Sequence, residues 1–291
     1  MNADAHAADA APLPAAAGVV GGGTMGSGIV HVLLAAGIDT VLVEVDDASL
    51  ARGLELVRES LDDSARRGKL EVGVDDALAR LTASTRYEDL AACEVVIEAV
   101  PENPELKKQV LGSIERQIPD TALLATNTSS LSLGSLAGSL AHPDRFVGMH
   151  FFNPVPAQPL LEIVRTPHAD EEALRRAHAL GGALKKEPIE VNDSPGFATS
   201  RLGVLVGLEA VRMVEEGVAS PEDIDKAMVL GYRYPIGPCR LGDLVGHDVR
   251  LGIAEYLHEA LGERFEPPAL LKQMVAEGKL GKKSGQGFFP W

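Results

Sequence analysis

The sequence predicts an α/β chain: an N-terminal doubly wound, mostly parallel sheet domain followed by an all-α C-terminal domain. Three observations predict it. Apolar, β-branched runs alternate with helical patterns as far as Asn192. A glycine-rich turn, Gly21-x-Gly23-x-x-Gly26, joins the first apolar run to the first helical one. Strand patterns stop at Asp193-Ser194-Pro195-Gly196, and helical patterns continue beyond it. The expected organisation is a flexible tail over residues 1–14, the sheet domain over 15–192 and the helical domain over 193–291.

Ala15 to Val20 is the first strand, and Met25 to Ala36 the first helix. The glycines between them have separate tasks in a dinucleotide (Rossmann-type) turn. Gly21 makes the tight turn, Gly23 lets the backbone approach a pyrophosphate, and Gly26 lets helix and strand pack closely. Thr24 and Met25 open the helix whose N-terminus would face the phosphates. The next strand, TVLVEVD, carries Glu44 at its end. An acid there accepts hydrogen bonds from ribose hydroxyls and repels a 2′-phosphate, which favours NAD over NADP.

Ala48 to Lys69 reads as a long solvated helix and Asp75 to Leu81 as a short one. Cys93 to Val100 is a buried strand that ends at Pro101-Glu102-Asn103. A helix over Glu105 to Gln117 leads to the strand ALLAT and the polar turn Asn127-Thr128-Ser129-Ser130. RFVGMHF and LLEIVRT are two further strands on either side of NPVPAQP. A helix over Glu171 to Lys186 and the short strand PIEVN complete the domain. After it, Thr199 to Glu216 is apolar almost all round, so it must be buried in a helical core or at a subunit contact. Ser220-Pro221-Glu222-Asp223 is a capping box, and Asp248 to Leu261 another helix.

The chain has 27 basic and 42 acidic residues, a net charge of −15. That balance disfavours a nucleic-acid partner, because phosphate neutralisation needs a basic surface. No apolar run is long enough to span a membrane. The first fourteen residues lack the basic start and apolar core of a signal peptide. Cys93 and Cys239 are far apart and suggest a reducing, cytoplasmic setting without disulfides. No metal site is expected.

Three polar side chains fall at or near the ends of successive strands: Ser129, His150 and Glu162. In an open α/β sheet such ends converge on one crevice. A histidine held by a carboxylate is the usual general base at neutral pH. The ordinary alternative is a turn serine, a core histidine and a surface acid. No G-x-S-x-G surrounds Ser129, which argues against a nucleophilic serine.

Together the stretches GGGTMGSGIV, VIEAVPENPELKK, TNTSSL, DRFVGMHFFNPVP, LLEIV, DSPGF, RMVEEGVASPEDID and GKKSGQGFF resemble the L-3-hydroxyacyl-CoA dehydrogenases. The resemblance runs from about residue 15 to the C-terminus. It implies an NAD-linked oxidation of an L-3-hydroxyacyl-CoA, or the reverse reduction, and a place in fatty-acid metabolism. The family's catalytic serine, histidine and glutamate fall on Ser129, His150 and Glu162. Its ribose-binding acid falls on Glu44, and its other NAD-side contacts on Glu102, Lys107 and Asn127. Its acyl-CoA contacts fall on Ser60 and Arg67, where relatives carry Lys, with Ser129 and Asn153 also on the substrate side. The family's fourth active-site residue is an Asn, and here that position is Ser200. A serine hydroxyl cannot reproduce an amide's reach. That departure keeps open a hydroxyacyl group on a carrier protein, a free hydroxy acid, or a silent NAD- and acyl-CoA-binding protein. The resemblance and the apolar helix over Thr199 to Glu216 together imply a homodimer.

Overall fold

The structure is a computed structural model that describes residues 13–129 and 131–291. Most of the expected tail, residues 1–12, and Ser130 of the polar turn lie outside the described residues. The chain divides into two units, with the boundary between Asp193 and Ser194.

The first unit is one sheet of eight strands in the order β3-β2-β1-β4-β5-β6-β7-β8. They are β1 (Ala16–Val20), β2 (Asp39–Val43), β3 (Leu81–Ser84), β4 (Val95–Glu98), β5 (Leu123–Thr126), β6 (Phe146–Phe151), β7 (Leu160–Arg165) and β8 (Glu187–Asn192). Strands β1 to β6 run parallel; β7 runs against β6, and β8 follows β7. The order reverses between β1 and β4, so a crevice opens outside their carboxyl ends.

Six helices connect the strands: α1 (Thr24–Ala35), α2 (Asp47–Arg66), α3 (Val74–Leu78), α4 (Pro104–Glu115), α5 (Leu133–Ala137) and α6 (Glu171–Ala183). Their starts are written in the sequence. Asp46 caps α2 by accepting from Ser49 N at 2.7 Å, and Asp170 caps α6 through Ala173 N at 2.7 Å. Asn103 caps α4 at 3.0 Å, with Pro104 at the first helical position. On one sheet face Val147, Met149 and Phe151 join Ile29, Leu33, Leu174 and Ala177 in the core. Alternation puts Phe146, Gly148 and His150 on the other face. There a Cβ on Gly148 would lie 2.7 Å from Leu133 Cδ2 of α5, so a larger residue would push that helix away.

The second unit is helical: α7 (Thr199–Glu215), α8 (Pro221–Gly231), α9 (Pro238–Val245), α10 (His247–Leu261) and α11 (Ala269–Ala276). Val204, Leu208, Val211, Ala254, Leu257, Phe265 and Leu271 form its core. The Ser220 cap is in place and accepts from Asp223 N at 3.1 Å. The aromatic end of the chain is tied down by one buried carboxylate. Asp243 accepts from Phe288 N, Phe289 N and Trp291 Nε1, each at 2.9 Å, and pairs with His247 Nε2 at 2.7 Å.

One expected element needs correction. The helix expected over Asp75 to Leu81 stops at Leu78, and Leu81 opens the edge strand β3. Its residues LTAS are too few and too polar to read as a strand. Helices α5, α9 and α11, of five to eight residues, are too short to show a period. The sheet is mostly parallel, as expected, with the one antiparallel step between β6 and β7. Helix α7 turns Val204, Leu208 and Val211 into its own core and leaves Leu202 63% exposed.

Strand β4 and helix α4 are locked by an ion pair in the interior. Lys107 Nζ lies 2.8 Å from Glu98 Oε1, with the two side chains 1% and 0% exposed. Removing one partner strands a buried charge, whereas removing both does not. Lys107→Met is therefore expected to lower unfolding free energy by about 3–5 kcal/mol. The double variant Glu98→Gln/Lys107→Met should lose clearly less. Denaturant titration of the three proteins checks this, and an equal loss in single and double variants would contradict it.

Candidate active site

The glycine turn sits where the strand order reverses. Gly21 has φ +96°, and a Cβ there would meet the Ala99 carbonyl at 2.8 Å, so only glycine fits against the end of β4. A Cβ on Gly26 would fall 1.7 Å from the Gly21 carbonyl oxygen, which explains the close helix–strand packing. Gly23 differs: nothing lies within 4 Å of its Cβ position. It faces open space at the N-terminus of α1, which has neither a side-chain cap nor an acid in its first turn. Thr24 and Met25 begin that helix. Bare helix N–H groups beside an open backbone approach fit a pyrophosphate. Glu44 follows β2 at the same crevice. Its Oε1 accepts from Gly22 N at 2.6 Å and its Oε2 from Val45 N at 2.9 Å, which aims the carboxylate at the glycine turn.

The polar turn after β5 hangs from two carboxylates that share one ammonium. Glu98 Oε2 accepts from Thr126 Oγ1 at 2.6 Å. Glu102 Oε1 accepts from Thr128 Oγ1 at 2.5 Å and from Ser129 N at 2.9 Å. Lys107 lies 3.4 Å from Glu102 Oε2 and donates to the Val100 carbonyl at 3.1 Å. Burial pushes the Glu102 carboxyl up, but the Lys107 charge and the bonds from Thr128 and Ser129 outweigh it and hold it below the usual range. Lys107 and Glu102 thus hold Ser129 in place. Asn127 ties this turn to the neighbouring strand, its Oδ1 accepting from Phe151 N at 2.9 Å.

His150 and Glu162 are directly opposite in the antiparallel β6–β7 pair, so their side chains share a face. His150 Nδ1 lies 2.7 Å from Glu162 Oε2, with the histidine 6% and the glutamate 0% exposed. Glu162 is the third of six residues in β7, not a strand end. It reaches His150 because β7 runs backwards. The Phe152 ring packs on the imidazole at 4.4 Å between centroids. Asn153, exposed, stands just beyond β6 at a cis bond to Pro154.

The two expected acyl-CoA residues line a separate cleft of about 250 Å³ in the same unit. Ser60 of α2 lies on its wall, and Arg67 at the end of α2 pairs with Asp63 at 2.9 Å. Its cations are Arg67, Lys69, Lys185 and Lys186, against two acids, Asp63 and Glu71. Sequence reading missed His31, whose Nδ1 lies 2.7 Å from Ser60 Oγ, because a histidine inside an apolar helix carries no signal of a partner. Lys186 was missed too. It is buried at the end of the α6–β8 turn and donates to the Gln158 carbonyl at 2.8 Å. Ser200, half-buried, sits in the first turn of α7 in the helical unit.

Among the described residues no helix is long and apolar enough to cross a membrane. Residues 16–194 match the NAD-binding domain of 3-hydroxyacyl-CoA dehydrogenase, and residues 196–291 its C-terminal domain. A 3-hydroxybutyryl-CoA dehydrogenase of Mycobacterium tuberculosis is 42% identical over 278 residues, 94% of this chain and 97% of that protein. The human mitochondrial hydroxyacyl-coenzyme A dehydrogenase is 38% identical, over 94% of this chain and 90% of its own. The crystal structure of (S)-3-hydroxybutyryl-CoA dehydrogenase PaaH1 from Ralstonia eutropha superposes with a TM-score of 0.91 at 40% identity. It covers 96% of this chain and 99% of that one. With both domain models matched and relatives near 40% identity along almost its whole length, the chain belongs to the NAD-dependent 3-hydroxyacyl-CoA dehydrogenase family.

Proposed function

We propose that His150 is the general base of this enzyme and Glu162 its orienting partner. The observation that carries the reading is the buried 2.7 Å pair between His150 Nδ1 and Glu162 Oε2. Oxidation of a 3-hydroxyacyl thioester removes a proton from the hydroxyl and a hydride from the carbinol carbon, and a carbonyl forms. NAD, when bound, supplies the hydride acceptor. The chain supplies the rest. His150 Nε2 takes the hydroxyl proton, and Glu162 stabilises the imidazolium that results. The Ser129 hydroxyl hydrogen-bonds the reacting oxygen and fixes its direction. In reduction the same imidazolium returns the proton. Asn153 borders the substrate, and Ser200 takes the place of the family's fourth active-site residue.

Gly21, Gly23, Thr24, Met25 and Gly26 hold the dinucleotide phosphates, and Glu44 the adenosine ribose. Glu102, Lys107 and Asn127 support the nicotinamide side. The cleft beside α2 receives the acyl-CoA through Ser60 and Arg67. Four cations against two acids make it a positive spot on a chain of net charge −15, which suits a ligand bearing phosphates. The two thiols, Cys93 and Cys239, are free and buried, in keeping with a cytoplasmic enzyme. The helical unit carries Leu202, Leu230, Tyr232, Leu244, Val245 and Val249 exposed, apolar side chains that a second copy of this chain would cover.

Three outcomes are expected. His150→Ala should lose about 10²–10⁴-fold in kcat while NADH binding, followed by its fluorescence, stays within a few-fold of wild type. Near-normal turnover in that variant would assign the proton to another group. Steady-state kinetics should show NAD preferred over NADP by at least about tenfold in kcat/KM, a difference of about 1.4 kcal/mol. Equal use of both would remove the role given to Glu44. Light scattering at micromolar concentration should return the mass of a dimer; a monomer mass would refute the assembly.

A further inference from the structure

We propose that His31 is a positioning residue for the acyl-CoA substrate, setting the Ser60 hydroxyl to donate into the cleft; this rests on assigning that cleft to acyl-CoA. His31 lies in α1, which begins at the dinucleotide turn, and Ser60 lies in α2. The imidazole is only 3% exposed, and its chain neighbours Val30 and Val32 are buried as well. A polar ring so placed needs a hydrogen bond to offset its desolvation. It finds one at 2.7 Å on Ser60 Oγ, at the wall of the cleft.

Burial, aided by the nearby Lys186 charge, drives the His31 pKa from 6.5 to about 4. The ring is therefore neutral at neutral pH and carries one N–H. A serine hydroxyl has one proton and rotates among three staggered positions. If Ser60 gave its proton to Nδ1, only lone pairs would face the cleft. With the proton on Nδ1, the ring donates to Ser60 Oγ, and the Ser60 proton points at the ligand. Phosphate and amide carbonyl oxygens of an acyl-CoA are acceptors, so they match the second arrangement. The cations around the cleft select the same ligand chemistry. The pair therefore acts on substrate affinity through Ser60 and has no part in proton transfer at His150.

The test measures KM and kcat with acetoacetyl-CoA and with its N-acetylcysteamine thioester, which lacks the nucleotide. The proteins are wild type, His31→Leu, His31→Asn, Ser60→Ala and the Leu/Ala double variant. His31→Leu and Ser60→Ala should each raise KM for acetoacetyl-CoA about fivefold, the scale of one hydrogen bond. The rise should be confined to the CoA substrate, with kcat and KM for NADH moving less than twofold. The double variant should add little to either single one, since both remove one unit. His31→Asn, which can place an amide N–H near Nδ1, should recover much of the loss. His31→Met replaces His31→Leu if thermal unfolding shows that the latter does not fold. A rise in KM for Ser60→Ala alone, or additive effects in the double variant, would overturn the role of His31 and leave the cleft assignment standing. No rise in KM for Ser60→Ala would overturn the cleft assignment, and this proposal with it.

Discussion

The reversal of one strand is the constraint on which the buried His150–Glu162 pair depends. In a parallel sheet, neighbouring strands are joined by a crossover of a dozen or more residues. Only residues 152–159 lie between β6 and β7, too few for such a crossover. The chain must turn back on itself, and turning back sets His150 opposite Glu162. Alternation then puts both on the face away from Val147, Met149 and Phe151, which the core has already claimed. The Pro-rich link keeps its course because the buried Lys186 ammonium is held by the Val155 and Gln158 carbonyls. A lysine from the turn before β8 thus holds the link that joins the strand of His150 to that of Glu162.

A second buried ammonium does similar work for the serine. Lys107 satisfies Glu98, and Glu98 takes the Thr126 hydroxyl. It also attracts Glu102, whose other oxygen collects Thr128 and Ser129. The fully buried Glu98 would be costly to bury alone, and the hydrogen bonds to both carboxylates are stronger for being charge-assisted. A charged and polar network thus fixes the turn carrying Ser129. The family likeness alone assigned Glu102 and Lys107 to the cofactor. The geometry gives them a second task, which is to hold the turn that carries Ser129.

Much of this was legible in the sequence because it rests on period and punctuation. The glycine turn, the fully buried β4 and the Ser220 cap each follow from residues a few positions apart. The features that escaped are those set by partners distant in sequence. Strand β3 has one large apolar residue, Leu81, and is a strand because it pairs with β2 at the sheet edge. His31 looks like any residue of an apolar helix until Ser60, 29 positions on, is brought beside it. Helix α7 reads as apolar on every side, yet its composition cannot say which side meets its own core. Val204, Leu208 and Val211 do, and Leu202 does not.

Charge is distributed in a way that reconciles an acidic chain with anionic ligands. The chain carries 42 acidic residues, yet the first turn of α1 contains none, and the cap position is glycine rather than an acid or serine. By contrast α2, α4 and α6 each have a capping Asp or Asn and an acid in the first turn. Those helices have satisfied their own N-termini, and α1 has not. A glycine at the cap gives up roughly a few tenths of a kcal/mol against an Asp or Ser there, and leaves the helix N–H groups without a side-chain partner. At α1 that deficit faces open space at Gly23, where a phosphate can make it good. The nearest acid, Glu44, is held back by Gly22 N and Val45 N, bonded to the rim of the turn rather than filling it. The negative charge therefore stands beside the open N-terminus of α1, and that opening is left to the helix N–H groups.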